Sequence, residues 1–502
     1  MRCARLYTPL MGATEAVLGV DVGGTFTDFY LWHKGELRVF KRPSTPDDPA
    51  RAVLAGLDEA DLVSAELVHG STVATNALLE RRGARTALVT TAGFRDAIVI
   101  GRQARAQMYA LEPTRPEPLV PAERRFEAAE RVAADGSVLL PLTESEAERV
   151  ADEVAHSGAE SVAICLLFSF LHPDHELRLA EALRRRGLLV SASVEVLPEY
   201  REYERMSTTA VNAYLAPVVS RYLARLQRDL AGRGVSQLRV MQSDGGSLAG
   251  EMAGRLAVRT VLSGPAGGVA GAFAAGQTAG AGHLITFDMG GTSTDVALCP
   301  GHILYRTDLS IDGLAVRTPS VDVHTVGAGG GSIARLDAGG ALRVGPESAG
   351  ADPGPACYGR GDQPTVTDAQ LVLGRLRPDR FLDGRMRLEP EAARRALAAL
   401  DGRRGRMIEA IAADIVRVAN ANMERAIRVI SVERGYDPRD FALLAFGGAG
   451  PLHACDLAEA LRIPRVIVPP HPGVLSAFGM VVADVTRDYV SAVLRRIDGD
   501  AG

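Results

Sequence analysis

The chain has 502 residues, of which 47% are hydrophobic and 23% are charged, and its formal net charge is −5. This length exceeds what one hydrophobic core normally fills, so at least two domains are expected. The small negative charge gives no electrostatic footprint for nucleic acid, and no apolar run is long enough to span a bilayer, so neither nucleic acid nor a membrane is an expected partner.

The chain begins with positive charge but without the apolar core of a signal peptide. We expect residues 1–15 to be a loose leader, with Met11 as an alternative start. The five cysteines are scattered without a C-x-x-C pair, which favours reduced thiols in a cytoplasmic protein. A hairpin over about residues 16–37, a proline-studded loop and a helix over residues 50–60 are the first predicted elements.

The first motif, residues 21–28, reads D-V-G-G-T-F-T-D and lies between two apolar runs. This pattern predicts a strand, a Gly-Gly turn and a second strand. The two glycines permit positive φ and leave no Cβ in the way of a ligand, so that backbone N–H groups at the turn can hold a phosphate. A carboxylate at Asp21, ahead of the glycines, is understandable if Mg²⁺ lies between it and the phosphate.

The second motif, residues 288–295, reads D-M-G-G-T-S-T-D and differs from the first only at its second and sixth positions. One Gly-Gly turn is most often only a turn. Two near-identical copies flanked by strands indicate two related halves that present phosphate hairpins to a shared cleft. The arrangement resembles the actin/hexokinase/Hsp70 type of ATPase, which implies an α/β fold with two actin/hexokinase-like (ribonuclease H-like) domains.

A polar segment between the two motifs predicts a short strand, a turn and a helix capped by Ser71 or Thr72. His69, Thr72 and Asn76 are candidate substrate residues at this helix N-terminus. The alternative is that the polar groups only cap the helix and that His69 packs in the core. Arg102 is a further candidate for a substrate carboxylate or carbonyl, although a solvated surface arginine is the commoner case.

The middle of the chain alternates helix and strand over residues 142–195, which indicates an α/β layer structure. A long helix is predicted to begin near Arg201 and to be kinked or broken at Pro217. Residues 263–268 open a helix of small residues, where either a ligand or another helix can approach closely.

The second half contains a glycine loop at residues 327–332 and a dense turn at residues 352–359. Cys357, in that turn, has no fixed histidine partner and is expected to be a structural thiol. A helix is predicted over residues 407–434. The strand that follows runs into a second glycine loop, residues 447–450, which is the kind of site that seats an adenosine at a helix N-terminus. His453, just beyond it, is expected to pack or cap.

Taken together, these segments resemble the hydantoinase A/5-oxoprolinase family of ATP-dependent amidohydrolase subunits. The resemblance extends from about residue 17 to residue 485, and its motifs occur in the family's order. The matching segments are residues 21–28, 69–77, 263–268, 288–295, 327–332, 352–359 and 432–451.

The resemblance implies that ATP phosphorylates the carbonyl oxygen of a cyclic amide or imide, such as a hydantoin, 5-oxoproline or a related lactam, and that the activated ring is then hydrolysed. It also implies a hetero-oligomer with a separate B-type subunit. One alternative is the ATP-binding subunit of an acetone/acetophenone-type carboxylase. Another is an actin-like sugar kinase or ATPase, although those families give no reason for the turn at residues 352–359.

The implied site uses ATP and Mg²⁺. Asp21 and Asp288 are assigned as the catalytic pair that holds Mg²⁺ through water. The phosphates are assigned to Gly23, Gly24, Thr25 and Thr27 of the first motif and to Gly290, Gly291, Thr292 and Thr294 of the second. The adenosine is assigned to Gly447, Gly448 and Gly450.

The expected domains are residues 16–200 and 201–490, each carrying one phosphate hairpin, with residues 491–502 as a tail. Members of the family usually continue into a further C-terminal domain, which is expected to be absent here. The segment after Arg102 is also looser than the family form, with Ala104 and Ala110 where polar residues are expected. This departure leaves the substrate more open than the nucleotide.

Overall fold

The computed structural model of the chain describes residues 16–45, 47–60, 64–104, 108–112, 117–402 and 405–494. The predicted leader, residues 1–15, lies outside the described residues, as do residues 495–502 of the predicted tail. The described part is an α/β structure, as predicted.

The strands of the described chain are β1 (Ala16–Val22), β2 (Phe26–His33), β3 (Glu36–Pro43), β4 (Ala65–Ser71), β5 (Thr86–Thr91), β6 (Arg125–Ala128), β7 (Arg131–Val132), β8 (Val138–Leu140), β9 (Ser161–Cys165), β10 (Leu189–Ala192), β11 (Val235–Met241), β12 (Ser247–Ala249), β13 (His283–Met289), β14 (Thr294–Pro300), β15 (Tyr305–Ile311), β16 (Leu314–Val321), β17 (Val323–Val326), β18 (Ser332–Leu336), β19 (Leu342–Ser348), β20 (Ala442–Phe446) and β21 (Arg465–Ile467).

The helices are α1 (Pro49–Ala60), α2 (Val73–Leu79), α3 (Ala97–Ile100), α4 (Glu144–His156), α5 (Asp174–Arg185), α6 (Ser193–Val196), α7 (Glu202–Leu230), α8 (Gly250–Arg255), α9 (Ser263–Thr278), α10 (Val366–Val372), α11 (Pro390–Asp401), α12 (Ile408–Ile430), α13 (Ala454–Leu461) and α14 (Leu475–Val482). Within the described ranges, none of them combines the length and the apolarity that crossing a membrane requires.

The chain divides into two compact units and passes between them five times. Unit 1 consists of Met1–Gly70, Gly264–Tyr305 and Val321–Ala483, and unit 2 consists of Ser71–Ser263, Arg306–Ser320 and Asp484–Gly502. These units do not follow the predicted division at residue 200, because late parts of the chain return to early ones. For example, α14 packs on β1 so closely that a side chain at Gly19 would overlap the carbonyl oxygen of Ala477.

Unit 1 contains two sheets whose strands follow the same order. In one, β4, β1, β2 and β3 lie side by side, and in the other β20, β13, β14 and β17 do, with β21 beyond β20. In both sheets three antiparallel strands begin with the strand that carries a motif, and a strand that follows them in the chain, β4 or β20, flanks that first strand. The repeated sequence motif therefore belongs to a repeated strand arrangement.

The two hairpins of the repeat share one register. In the first hairpin (β1 and β2) Asp21 pairs with Asp28, and in the second hairpin (β13 and β14) Asp288 pairs with Asp295. β1 and β13 are buried along almost their whole length. This burial explains why the sequence before each motif is a continuous apolar run rather than an alternating one.

Unit 2 contains a parallel sheet in the order β10, β9, β5, β6. Its apolar face packs against α4 and α5, which confirms the β/α layers predicted over residues 142–195. α7 runs unbroken for 29 residues with Pro217 inside it, so of the two predicted alternatives, a kink or a break, the break is wrong. Almost every residue from Arg205 to Pro217 is buried, and we attribute the continuity to this packing, which outweighs the lost backbone hydrogen bond.

The small residues at the start of α9 serve close helix packing against α14. A side chain at Gly479 would overlap the carbonyl oxygen of Gly267 and lie 2.8 Å from the amide nitrogen of Gly271. A side chain at Gly271 would lie 2.6 Å from the carbonyl oxygen of Leu475. Of the two alternatives for residues 263–268, the structure thus supports helix packing.

His453 is a packed residue, as predicted, and joins three helices of unit 1. Its Nδ1 lies 2.6 Å from Oδ1 of Asn420 on α12, and its Nε2 lies 3.1 Å from Nε2 of Gln370 on α10. These partners fit the neutral tautomer that donates from Nδ1 and accepts at Nε2. Burial lowers the pKa of His453 to about 4, because a charged imidazolium would lose its hydration.

Replacing Gly479 by alanine should destabilise unit 1. The added methyl has no room between α9 and α14, and overpacking of this kind costs about 1–3 kcal/mol. The measurement is the free energy of unfolding in urea, with Gly282→Ala as the control, because no atom lies within 4 Å of a methyl placed at Gly282. Equal stability of the two variants would contradict this packing.

Acid should destabilise the chain partly through His453. The unfolded histidine binds a proton near its ordinary pKa of 6.5, but the folded one does so only near 4. Stability is therefore lost as the pH falls from about 6.5 to about 4. Over this pH range the unfolding free energy of His453→Gln should fall less steeply than that of the parent chain. The difference in slope should correspond to about one proton bound on unfolding. An unchanged slope would show that His453 is not buried in the neutral form.

Candidate functional site

Four carboxylates from the two hairpins gather within unit 1. They are the first and last residues of the two motifs: Asp21, Asp28, Asp288 and Asp295. The charges of Asp21 and Asp28, on the first hairpin, act on Asp288 of the second hairpin. The two acidic residues that the sequence assigned to Mg²⁺ are therefore electrostatically coupled.

Burial and like charge make Asp21 and Asp288 hard to ionise. Burial and the charge of Asp28 raise the pKa of Asp21 to about 7, although Lys41 lowers it. Burial, Asp295 and the first hairpin's carboxylates raise the pKa of Asp288 well above its usual range. A cation placed among them would favour the ionised forms.

The two turns are closed in the same way. The amide of Gly23 donates to the carbonyl oxygen of Phe26 at 3.0 Å, and the amide of Gly290 donates to that of Ser293 at 3.0 Å. None of the four motif glycines has a positive φ, so the left-handed backbone that glycine permits is not used at these turns. What these glycines provide is open approach, since a methyl at Gly24 or Gly291 would meet no protein atom within 4 Å.

The motif threonines divide into two pairs. Thr25 and Thr292 lie at the turns and are at least partly accessible. Thr27 and Thr294 are buried, because successive strand residues face opposite sides of a sheet. The Thr27 hydroxyl lies 3.1 Å from Oγ of Ser44, and the Thr294 hydroxyl donates to the carbonyl oxygen of Ala328. The hydroxyls of the buried pair are thus already used inside the fold.

The glycine loop, residues 327–332, supports the turn of the second hairpin. The amide of Gly330 donates to the carbonyl oxygen of Gly290 at 3.0 Å, and the amide of Gly331 donates to that of Gly291 at 2.6 Å. A side chain at Gly329 would lie 2.6 Å from the carbonyl group of Gly291. The loop therefore needs glycine in order to lie against another backbone.

The glycine loop is itself held by the start of α10. The amide and the hydroxyl of Thr367 both donate to the carbonyl oxygen of Gly330, at 2.7 and 2.8 Å. The next residue, Asp368, is fully buried and forms a capping box with Thr365. Its carboxylate also accepts from the amide of Cys357 at 2.7 Å, so it fixes the turn at residues 352–359.

Cys357 is a structural thiol, as the sequence predicts. Its side chain is fully buried, and burial together with the charge of Asp368 raises its pKa above the ordinary range. A thiol in this setting is not the thiolate that nucleophilic catalysis requires.

The second glycine loop, residues 447–450, begins beside the second hairpin. Gly447 has a φ of +80°, and a side chain there would overlap Oδ1 of Asp288. Its amide donates to the carbonyl oxygen of Pro472 at 3.0 Å, and the amide of Ala449 donates to that of Met289 at 2.9 Å. Gly448 is exposed with open space before it. This loop adjoins the carboxylate of Asp288, where the sequence placed the adenosine.

The candidate substrate residues are not gathered in one unit. His69, in unit 1, is fully buried with Nδ1 3.4 Å from the carbonyl oxygen of Val20, and burial lowers its pKa to about 4, which supports the packed alternative. Thr72 and Asn76 belong to unit 2, where Thr72 precedes α2 and its hydroxyl accepts from Asn76 Nδ2 at 3.4 Å. Arg102, also in unit 2, is half exposed and donates to Glu204 Oε1 at 2.6 Å.

The carboxylates of Asp21 and Asp288 suit a cation whose other ligands are water and the oxygens of a bound phosphate. In the described ranges, no group of three or more histidine, cysteine, aspartate or glutamate side chains is arranged to hold a metal ion. Mg²⁺ keeps several waters and typically binds one or two carboxylates together with phosphate oxygens. Asp21 and Asp288, with their excess negative charge, fit that mode.

Sequence reasoning missed two supporting residues. Ser44 brackets the first turn: its amide donates to the carbonyl oxygen of Thr25 at 2.9 Å and its hydroxyl to that of Gly23 at 2.7 Å. Lys41 donates to Asp28 Oδ1 at 2.6 Å. Both lie just beyond the first motif, on or after β3, and only the pairing of β3 with β2 brings them to the site.

Comparison with known proteins agrees with this geometry. Residues 205–489 match the hydantoinase/oxoprolinase family, and residues 17–187 match the hydantoinase/oxoprolinase N-terminal region. The caprolactamase subunit alpha of Pseudomonas jessenii is 40% identical over 514 residues, which cover 98% of this chain and 73% of that protein. The 5-oxoprolinase 1 of Arabidopsis thaliana is 37% identical over 529 residues, which cover 93% of this chain and 41% of that protein.

A carboxylase subunit and two solved structures are also similar. The acetophenone carboxylase gamma subunit of Aromatoleum aromaticum is 36% identical over 503 residues, which cover 94% of this chain and 68% of that protein. The crystal structure of the ATP-dependent caprolactamase from P. jessenii superimposes with a TM-score of 0.79 at 38% identity, covering 92% of this chain and 70% of that one. A nucleotide-free acetone carboxylase does so with a TM-score of 0.79 at 32% identity, covering 93% and 70%.

The matches to the family extend over both halves of the chain and include both hairpin motifs. They agree with the α/β architecture and with the resemblance found in the sequence. The chain belongs to the hydantoinase/oxoprolinase family.

Proposed function

We propose that this chain is the ATP-binding A-type subunit of an enzyme that hydrolyses a cyclic amide after phosphorylating its carbonyl oxygen. The observation that carries the proposal is the pair of hairpins in one register, each with an acidic residue, Asp21 or Asp288, ahead of an open glycine turn, and the charge of Asp21 acts on Asp288. Relatives named caprolactamase and 5-oxoprolinase support the enzyme class, an ATP-dependent amidohydrolase acting on cyclic amides.

The chemistry explains why such an enzyme consumes ATP. A resonance-stabilised amide is a poor electrophile, and a phosphoryl group on its oxygen turns that oxygen into a good leaving group. The protein's part is to position the reactants and to balance charge. We assign this part to the amides of the two turns, including those of Gly24 and Gly291, and to the hydroxyls of Thr25 and Thr292. The loop at Gly447, Gly448 and Gly450 would seat the adenosine.

Mg²⁺ would be held through Asp21 and Asp288 and would offset the charge of the phosphates. Both carboxylates would be ionised in that state. Their raised pKa values mean that both carboxylates resist ionisation without a cation, so cation and nucleotide should bind together rather than in sequence.

The partners follow from the relatives' names. "Subunit alpha" and "gamma subunit" denote parts of larger assemblies, and we propose that this chain acts with a B-type subunit in a hetero-oligomer. The cysteines of the described chain, Cys165, Cys299, Cys357 and Cys455, are free thiols, which supports a reducing compartment such as the cytoplasm.

A second candidate is the ATP-binding subunit of a ketone carboxylase. The structural similarity to acetone carboxylase favours it as much as it favours the hydrolase, because the superposition scores are equal. The nucleotide residues would be the same in both cases. Substrate and partner are what separate the two.

Release of ADP with a substrate panel tests the proposal. The chain, alone and with a B-type subunit, is given caprolactam, 5-oxoproline, a hydantoin, or acetone with bicarbonate. We expect a cyclic amide to stimulate ADP release with ring opening, and Asp21→Asn to lower the rate by about 10²–10³ through lost electrostatic stabilisation.

The matched control is Asp47→Asn, which alters an exposed carboxylate paired only with Arg51 in the described chain. This variant should keep the parent rate. ADP release stimulated only by ketone with bicarbonate would show that the chain is a carboxylase subunit. An undiminished rate in Asp21→Asn would show that Asp21 does not belong to the site.

Substitution of Gly329 tests the role of the glycine loop. In Gly329→Ala the new methyl would press on the backbone of Gly291, displace the second turn and weaken ATP binding, by about tenfold if one turn contact is lost. Titration calorimetry with MgATP measures the effect. Gly339→Ala is the control, because only Asp337 Oδ1, at 3.4 Å, is near its methyl. Equal affinities of the two variants would show that the loop does not set the turn.

A further inference from the structure

The two related sheets of unit 1 carry a row of three residues each, and the rows differ in charge. Across β1, β2 and β3 the register aligns Asp21, Asp28 and Lys41. Across β13, β14 and β17 it aligns Asp288, Asp295 and Thr325. Lys41 and Thr325 therefore occupy the same place in the repeat.

The contacts of these two residues are also equivalent. Lys41 Nζ donates to Asp28 Oδ1 at 2.6 Å, and Thr325 Oγ1 donates to Asp295 Oδ1 at 2.5 Å. Lys41 thus neutralises the carboxylate of Asp28, and Thr325 supplies a hydrogen bond to the carboxylate of Asp295. The difference is one positive charge, present at the first hairpin and absent at the second.

Lys41 keeps a donor for a ligand, whereas Thr325 does not. An ammonium group has three N–H donors, and Lys41 uses one on Asp28 and one on the carbonyl oxygen of Gly473 at 2.6 Å. Its side chain is 28% exposed, and besides these two acceptors only the Phe26 ring, 6.0 Å from Nζ to its centroid, is recorded beside the ammonium group in the described chain, which leaves the third donor for a ligand. The single hydroxyl proton of Thr325 is already given to Asp295.

Lysine is rare in this chain, which makes its position informative. Of 56 basic residues, 54 are arginine and only Lys34 and Lys41 are lysine. Lys34 is exposed at the β2–β3 turn, where its side chain faces solvent. Lysine offers a compact point charge for phosphate, whereas the wider guanidinium fork of arginine favours bidentate pairing.

We propose that Lys41 is a further residue of the nucleotide site and that it binds the terminal phosphate of ATP at the first hairpin. This inference rests on the proposed function. The terminal phosphate carries more negative charge than the inner ones, so it belongs at the row that contains a cation. The inner phosphates then lie at the second hairpin, next to the loop that begins at Gly447 and would hold the adenosine.

Discrimination between ATP and ADP tests this assignment. MgATP and MgADP are titrated calorimetrically into the full chain. Lys41→Met should weaken the binding of ATP by about 10- to 100-fold, the usual effect of losing a charge-assisted hydrogen bond, and should leave the binding of ADP nearly unchanged. Thr325→Val should weaken the binding of both nucleotides by the same factor. Lys41→Arg should keep part of the preference for ATP over ADP.

The possible failures are distinguishable. If the parent chain binds neither nucleotide, the proposed function is overturned. If the parent binds ATP but Lys41→Met weakens ATP and ADP equally, only the role of Lys41 is overturned. Lys34→Met controls for removal of a lysine, and Lys41→Gln carries the same comparison if the methionine variant does not fold.

Covalent labelling of the unaltered chain gives an independent test. An ATP analogue with an acyl group on its terminal phosphate forms an amide with a nearby lysine amine, and the acyl–oxygen bond breaks to release ATP. Because the chain has only two lysines, peptide mass spectrometry can assign the label. We expect acylation of Lys41, suppressed by excess ATP, and none at Lys34. Equal labelling of both lysines, or labelling of Lys34 alone, would contradict the assignment.

Discussion

The electrostatic repulsion among the four carboxylates of the two hairpins is the constraint on which the site in unit 1 depends, and Lys41 offsets it only at Asp28. Asp21 and Asp288 come from strands that are far apart in sequence, and each meets a second carboxylate across its own hairpin. Burial and mutual repulsion raise their pKa values, so their ionised forms are unfavourable without a cation. In the function proposed above, a cation and a polyphosphate would offset this cost.

Hydrogen bonds to backbone carbonyl and amide groups hold the two turns in place. The glycine loop at residues 327–332 donates two amides to the second turn, and Ser44 does the same work at the first. Behind the glycine loop, Thr367 and the buried Asp368 tie it to the turn at residues 352–359. The motifs that identify the family are therefore largely a scaffold that fixes where two turns sit, and this explains why so many of them contain glycine.

The family, the α/β class and the paired hairpins could be predicted from the sequence, because the two motifs are nearly identical and each lies between two apolar runs that form strands. Sequence reasoning did not reach Lys41, which depends on the pairing of β3 with β2. The motif glycines do not use the positive φ that glycine permits, but they leave the turns open to a ligand, as the sequence indicated. Sequence reasoning also predicted a kink or a break at Pro217, where burial along α7 keeps the helix unbroken, and a boundary at residue 200, where long-range packing returns late helices to the first sheet.

The proposed function requires that ATP activates a cyclic amide by phosphorylating its carbonyl oxygen at this site. The most direct test uses a lactam labelled with oxygen-18 in the carbonyl group, turned over by the chain with its partner subunit and MgATP. We expect the label in the inorganic phosphate, because the activated oxygen leaves with the phosphoryl group. Ring opening with the label fully retained in the product carboxylate, and none in the phosphate, would contradict it.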